Sequence, residues 1–259
     1  MTILLIKLIM APLLISGATL AVRRWGPAVG GWIVGLPLTS GPVSVFLLVE
    51  QGREFAALSA HSTLNGLLSV VAFCLVYERS SRRFPWPAAA ALSLAAYFAV
   101  VTLFNTVHPP LWASVALVCG GITLALAAVK PVTETLPVMS APYWDLPVRM
   151  ITATLLVVTI TGVSRNLGPS LSGLFSTFPI FICLMSVFSQ HIYGTVAVRK
   201  FEHGVISGSY AFAVFFIIAA FTLRAWSPAL VYTAAIAGAL GTNLVVYNVL
   251  RALHLNDRG

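Results

Sequence analysis

The chain has 259 residues, of which 59% are hydrophobic and only 8% charged, with 15 Lys and Arg against 7 Asp and Glu. A mean hydropathy of +0.95 leaves too little polar surface to face water on every side, which excludes a soluble globular domain and points to an integral membrane protein. The formal charge of +8 is scattered between apolar runs, as in membrane-protein loops, so nucleic acid is not an expected partner.

Runs of about 20 apolar residues suffice to cross a hydrocarbon layer of about 30 Å as helix. Nine such runs are predicted, near residues 3 to 22, 28 to 50, 55 to 77, 86 to 105, 111 to 129, 147 to 164, 170 to 191, 201 to 223 and 228 to 250. The first lacks the basic start and small-residue cleavage site of a secretory leader, so it is read as a span. Between the fifth and sixth runs, residues 130 to 145 carry Pro131, Pro137 and Pro142 and form the one extended loop.

The spans are related by duplication. Shifting the chain by 142 positions without a gap brings Ala11, Leu13, Leu14, Thr19, Arg23, Gly26, Pro27 and Gly31 onto identical residues. The same shift matches Pro37, Ser44, Val45, Phe46, Gly52, His61, Gly66 and Phe73 to their counterparts, ending with Phe215. These 16 identities compare with roughly 5 expected by chance in apolar sequence. Spans 1 to 4 map onto spans 6 to 9, and span 5 has no counterpart. The expected organisation is a first repeat over residues 1 to 107, a linker helix and loop over 108 to 145, and a second repeat over 146 to 259.

An odd number of crossings between equivalent spans inverts the second repeat relative to the first, the plan of many transporters. The distribution of basic residues tests this plan. With nine crossings, Arg23, Arg24, Arg79, Arg82, Arg83, Lys130, Arg149, Arg199, Lys200, Arg251 and Arg258 share one side, eleven in all, whereas Lys7, Arg53, Arg165 and Arg224 make four on the other. If spans 2 and 7 did not cross, the division would be eight to seven. The expected fold is therefore an all-α membrane protein of nine transmembrane helices, two inverted four-helix repeats joined by a linker helix. Its expected setting is the bacterial inner membrane, multi-pass, with the N-terminus outside and the C-terminus in the cytoplasm.

Spans 2 and 7 carry the unusual chemistry. Gly30, Gly31, Gly35, Pro37, Gly41 and Pro42 interrupt span 2 around Thr39 and Ser40. A proline removes a donor and displaces the preceding turn, and carbonyls so freed in hydrocarbon need another partner or a polar cavity. Span 7 repeats the theme with Gly173, Ser176, Thr177 and Pro179. Paired interrupted spans at equivalent positions of inverted halves point to a central binding site, and Pro37, Thr39, Ser40, Gly41, Thr177 and Pro179 are its predicted shapers. The bland alternative is close helix packing through GxxxG spacings such as Gly31 and Gly35. Asn65 and Asn243 are predicted to line the cavity or to bond between helices.

His61 and His203 occupy equivalent positions at the start of the third helix of each repeat, and a histidine titrating near neutrality suits a proton relay. Glu50 and His191 have apolar counterparts in the other repeat, and these symmetry-breakers complete the set of proton-coupling candidates. Glu50 is equally suited to pairing with Arg53. Lys7 and Arg149 share a position one turn into spans 1 and 6, where they either snorkel to headgroups or turn inward to hold an anion. Cys74, Cys119 and Cys183 lack metal-ligand spacing and are read as lipid-facing or packing residues. The tryptophans lie mostly near span ends, as in an interfacial belt.

The segment GLFSTFPIFICLMSVFSQHIYG, residues 173 to 194, resembles small GlpM-type bacterial membrane proteins through Gly173, Leu174, Phe178, Pro179, His191, Tyr193 and Gly194. The first repeat departs from that pattern, with Val49 and Gln51 in place of His191 and Tyr193. The resemblance implies a four-helix unit that stands alone in some proteins and is duplicated and fused here. It also implies a link to envelope exopolysaccharide production, and it offers no catalytic residue. Neither a nucleophile elbow, a zinc-protease motif nor a phosphate-binding loop occurs in the sequence, so no enzyme, metal or cofactor is expected. The leading expectation is a secondary transporter or exporter of a small solute, working by alternating access in a lipid bilayer and suited to proton coupling. The competing expectations are a non-transporting subunit of an envelope polysaccharide or lipid assembly machine, a channel, and a membrane enzyme.

Overall fold

In the computed structural model of the protein, residues 2 to 38, 40 to 129, 132, 134, 144 to 164 and 178 to 256 are described. Among them the chain forms eight helices: α1 (Thr2–Trp25), α2 (Pro27–Val34), α3 (Ser40–Ser80), α4 (Trp86–Val107), α5 (Leu111–Ala128), α6 (Asp145–Ser164), α7 (Ile180–Thr222) and α8 (Pro228–Asn256). Prolines mark several starts. Pro85 and Pro110 cap α4 and α5, and Pro228 opens α8, positions where a missing backbone donor costs nothing.

Two helices are too long to be single crossings. At 1.5 Å per residue, the 41 residues of α3 and the 43 of α7 would each extend about 60 Å. Each is bent into two arms by one glycine. Gly52 has φ 84° and ψ 176°, and Gly194 has φ 79° and ψ −176°, a region closed to side chains bearing a Cβ. These glycines stand 142 positions apart, the spacing of the sequence repeat. The same spacing separates the ends of α3 and α7, at Ser80 and Thr222, and the starts of α4 and α8, at Trp86 and Pro228. The backbone therefore repeats its corner, its helix end and its next helix start in register.

The interrupted span predicted over residues 28 to 50 is broken in the structure. The chain leaves the helix at residues 35 to 38 and re-enters it at Ser40, so span 2 is two short helices, α2 and the first arm of α3. The amide of Leu36 bonds the Ile33 carbonyl and that of Leu38 the Leu36 carbonyl, and the Gly41 amide returns to Pro37. These short-range bonds absorb part of what Pro37 takes from the ladder. Span 7 cannot be compared in full, because residues 165 to 177 lie outside the described residues.

The core gathers around α7, which packs against α2, α3, α4, α5, α6 and α8, while α1 packs against α2 and α6. Among the described residues, five stretches are long and apolar enough to cross a membrane: Gln51–Ser80, Trp86–Val107, Leu111–Ala128, Ile180–Thr222 and Pro228–Val249. Only 22 to 28% of the apolar windows of α4, α5 and α8 is buried within the protein, so their outer faces present side chains such as Leu124 and Leu244 outward. In water such a surface would aggregate; in lipid it is the normal exterior. The chain is an all-helical membrane protein. Of the tryptophans, Trp25, Trp86, Trp112, Trp144 and Trp226 are exposed near helix ends, whereas Trp32 is half-buried within α2.

Candidate functional site

The break in span 2 is built on close backbone packing. A methyl group at Gly31 would lie 2.0 Å from the Phe201 carbonyl oxygen, and one at Gly35 would lie 2.8 Å from that of Val205. From the other side, Gly204 meets the Ala28 carbonyl at 2.1 Å and Gly208 meets that of Trp32 at 2.5 Å on the same test. Each helix presents a pair of glycines one turn apart, so α2 lies directly on the second arm of α7. The glycines of span 2 thus serve packing, and they bind the first repeat to the second.

Beyond the break, Pro37 is half-buried, as is Ser40, which opens α3. Gly41 is buried, and a methyl there would touch the Phe215 ring at 3.5 Å. One turn later Ser44 Oγ hydrogen-bonds Tyr232 Oη at 2.9 Å, tying the first arm of α3 to α8. Phe212, Phe215 and Phe216 continue this wall. Pro179 is buried and caps α7. Thr39 and Thr177 lie outside the described residues.

The proton-coupling candidates are dispersed. His61 is half-buried and its Nε2 hydrogen-bonds Ser114 Oγ at 2.8 Å, joining α3 to α5. His203 is half-buried on α7 beside Glu202 and is engaged in an interaction of its own. His191 is exposed and stands edge-on to Trp86, with ring centroids 6.5 Å apart. Glu50 belongs to α3, but its side chain lies outside the described residues. Asn65 and Asn243, on α3 and α8, each keep a buried amide oxygen without a partner. With Ser69, whose hydroxyl is also buried and unpartnered, Asn65 and His61 form a polar strip at four-residue intervals along α3.

The strongest polar grouping is built on three buried acidic residues. Glu202, Glu78 and Asp145 are carboxylates buried in the helix assembly. Glu78 pairs with Arg82, one turn on, and with Arg199 Nε at 2.9 Å, so α3 and α7 are joined by charge. Asp145 bonds Arg149 Nε at 2.6 Å and Arg23 Nη2 at 2.9 Å, joining α6 to α1. Arg149 is buried and turns inward, over the Phe188 ring and toward Met185 Sδ at 3.0 Å, and does not snorkel.

Glu202 alone of these three has no cationic partner among the described residues. Ser186 hydrogen-bonds its carboxyl group, and the Cys74 thiol stands close by. Cys74, read from sequence as a packing or lipid-facing residue, is fully buried and is part of this polar group. The sequence held one signal, acidic residues at the edges of apolar runs at Glu78 and Glu202. Their neighbours lie as far as 128 residues away, at Cys74, and no local pattern marks them.

At the C-terminal end of α3 the exposed chemistry is basic. Val76, Arg79, Ser80, Arg82, Arg83 and Phe84 line an open depression of about 400 Å³. At the opposite end Glu54 holds Arg224 through two hydrogen bonds of 2.9 and 2.7 Å, which stabilises the guanidinium and raises its pKa from the ordinary arginine value. No group of three or more His, Cys, Asp or Glu side chains suited to a metal ion occurs among the described residues. No family model, no curated protein and no solved structure matches the chain.

Proposed function

We propose that the protein is a secondary transporter of a small solute in a bacterial inner membrane, working by alternating access between two inverted four-helix repeats with α5 as their linker. The observation that carries the reading is the broken span 2. Two short helices meet at residues 35 to 38 inside an apolar segment, and one of them, α2, is seated on the opposite repeat. Together α2 and the 12 residues before Gly52 amount to about 30 Å of helix, enough for a discontinuous crossing. Half-helices with free ends near the membrane midplane are how such carriers hold ligands.

Three ion pairs support the nine-crossing topology. Arg23 with Asp145, Glu78 with Arg199, and Glu54 with Arg224 each join segments that nine crossings put on the same side of the bilayer. The first two pairs belong to the basic, cytoplasmic side and the third to the outside. On this reading Pro37, Ser40 and Gly41 shape the ligand path from span 2, Thr39 and Thr177 belong to the two breaks, and Pro179 ends the second.

Purified protein in liposomes is expected to move solutes from a chemically diverse panel in saturable fashion under a proton or sodium gradient. Pro37→Ala, which permits a continuous helix, is expected to reduce that flux at least tenfold while leaving the folded protein intact. Failure of every solute under both gradients would overturn the reading. One observation favours the second reading, a non-transporting subunit of an envelope assembly machine as the GlpM-type resemblance implies: the glycine contact between α2 and α7 leaves no space between the repeats there. Stoichiometric co-purification with a polysaccharide or lipid synthase, without flux, is the result that reading expects.

A further inference from the structure

Glu202 lies where the second arm of α7 faces both α3 and the first arm of α7, and its side chain is wholly excluded from the surface. Its Oε1 contacts Ser186 Oγ, and the Cys74 thiol stands close by. Its Oε2 has no partner, and neither do two further buried oxygens of the same helix pair, Tyr77 Oη and Ser189 Oγ. Each guanidinium in the vicinity is committed elsewhere. Arg82 and Arg199 bond Glu78, while Arg149 and Arg23 bond Asp145.

Among the described residues, the remaining elements around α7 bring no Lys or Arg to the carboxyl, and His203, the next residue on α7, has an interaction of its own. From α3 come Cys74, Tyr77 and Glu78, and from α7 itself Cys183, Ser186 and Ser189. Helix α2 has no titratable side chain. Arg149 of α6 reaches Met185, beside Ser186, and Thr19 of α1 meets the same sulfur. Tyr97 of α4 stands edge-on to Phe178, Cys119 of α5 stands on a partly open face, and Tyr232 of α8 bonds Ser44.

The hydrogen count at Ser186 decides the state of the acid. A serine hydroxyl has one hydrogen to give. Ser186 Oγ lies 2.6 Å from the Ile182 carbonyl oxygen, which can only accept, and it also meets Glu202 Oε1. With one two-centre hydrogen bond at each contact, Ser186 donates to Ile182 and Glu202 donates to Ser186, the arrangement of a neutral carboxylic acid. Burial without a Lys or Arg beside it has the same consequence, because an uncompensated carboxylate in such surroundings is far costlier than the acid.

We infer that Glu202 is a proton-binding site, a neutral acid in this closed arrangement that gives up its proton when α3 and α7 part. On opening, the O–H bond breaks, the proton passes to an entering water, and a carboxylate remains. That the released proton drives solute movement rests on the transport reading above; the protonated state of the acid does not.

Infrared spectroscopy of the full chain in lipid membranes tests the state directly. At neutral pH the wild-type protein is expected to show a carboxylic-acid carbonyl stretch that moves on exchange into D2O, is lost in Glu202→Gln and persists in Glu78→Gln. A wild-type spectrum with only carboxylate stretches at neutral pH would overturn the inference, and this holds even if Glu202→Gln does not fold. The amide keeps the shape and neutrality of the acid, so Glu202→Gln is expected to unfold at the wild-type temperature; a large drop would also count against a neutral Glu202. In liposomes, solute flux in Glu202→Gln is expected to lose its dependence on the proton gradient, and an unchanged dependence would overturn the coupling role. The acid band without any solute flux would instead overturn the transport reading and leave the proton site standing.

Discussion

The first arms of α3 and α7 are the same piece of backbone used twice, and they keep different company. Both end at a glycine with positive φ, and both carry a serine, Ser44 or Ser186, at the equivalent position. Ser44 bonds a phenol, Tyr232, against a wall of phenylalanines. Ser186 bonds a buried carboxyl, Glu202, whose counterpart in the first repeat is Ala60. The bend is common to the two arms, whereas a buried acid meets the serine in only one of them.

The pairing of the halves breaks most severely at the surface where they meet. Gly31→Leu drives a branched side chain into the backbone at Phe201 and is expected to abolish monodisperse folded protein in size-exclusion chromatography. Gly241→Leu, at a glycine of α8 where a methyl would meet no atom within 4 Å, is expected to fold. Next in size is Asp145→Asn, which leaves Arg149 buried without its counter-charge. A loss of about 3 to 5 kcal/mol is expected in denaturant or thermal unfolding, largely restored in the double variant Asp145→Asn with Arg149→Met. The first repeat has Ile3 and Lys7 at these positions, so it has no pair of this kind to lose.

A smaller effect tests what the halves share. Gly52→Ala and Gly194→Ala place a Cβ in a region reserved for glycine, and each is expected to cost about 1 to 3 kcal/mol by thermal unfolding. Nearly equal losses would establish the corners as equivalent; a loss at one alone would show that only one half depends on its bend. The smallest effect belongs to Arg224→Gln. Its partner Glu54 is in open solvent, so only a slight, salt-screened change in Tm is expected.

What the sequence allowed to be read follows from how local each feature is. The break at Pro37 was legible because proline's missing donor acts within a turn, and the corners at Gly52 and Gly194 showed as glycines matched across the repeat. The outer helices α4, α5 and α8 were legible from hydropathy alone. The centre at Glu202 was not, because burial of one helical position depends on which helix covers it, and the covering residues Cys74 and Tyr77 come from the other repeat. The bond of His61 to Ser114 was hidden for the same reason, since Ser114 lies 53 residues away on a helix without a repeat counterpart.

The glycine seat of α2 on α7 also sets the timing of assembly. Gly31 leaves the ribosome 173 positions before Gly204, the residue on which its helix rests. At 5 to 20 residues per second, roughly ten to thirty seconds of synthesis separate the two. For that interval the first repeat is in the membrane with its closest-packing face open. A chain truncated after α5 has no native surface for that face and has only another half-chain to close it.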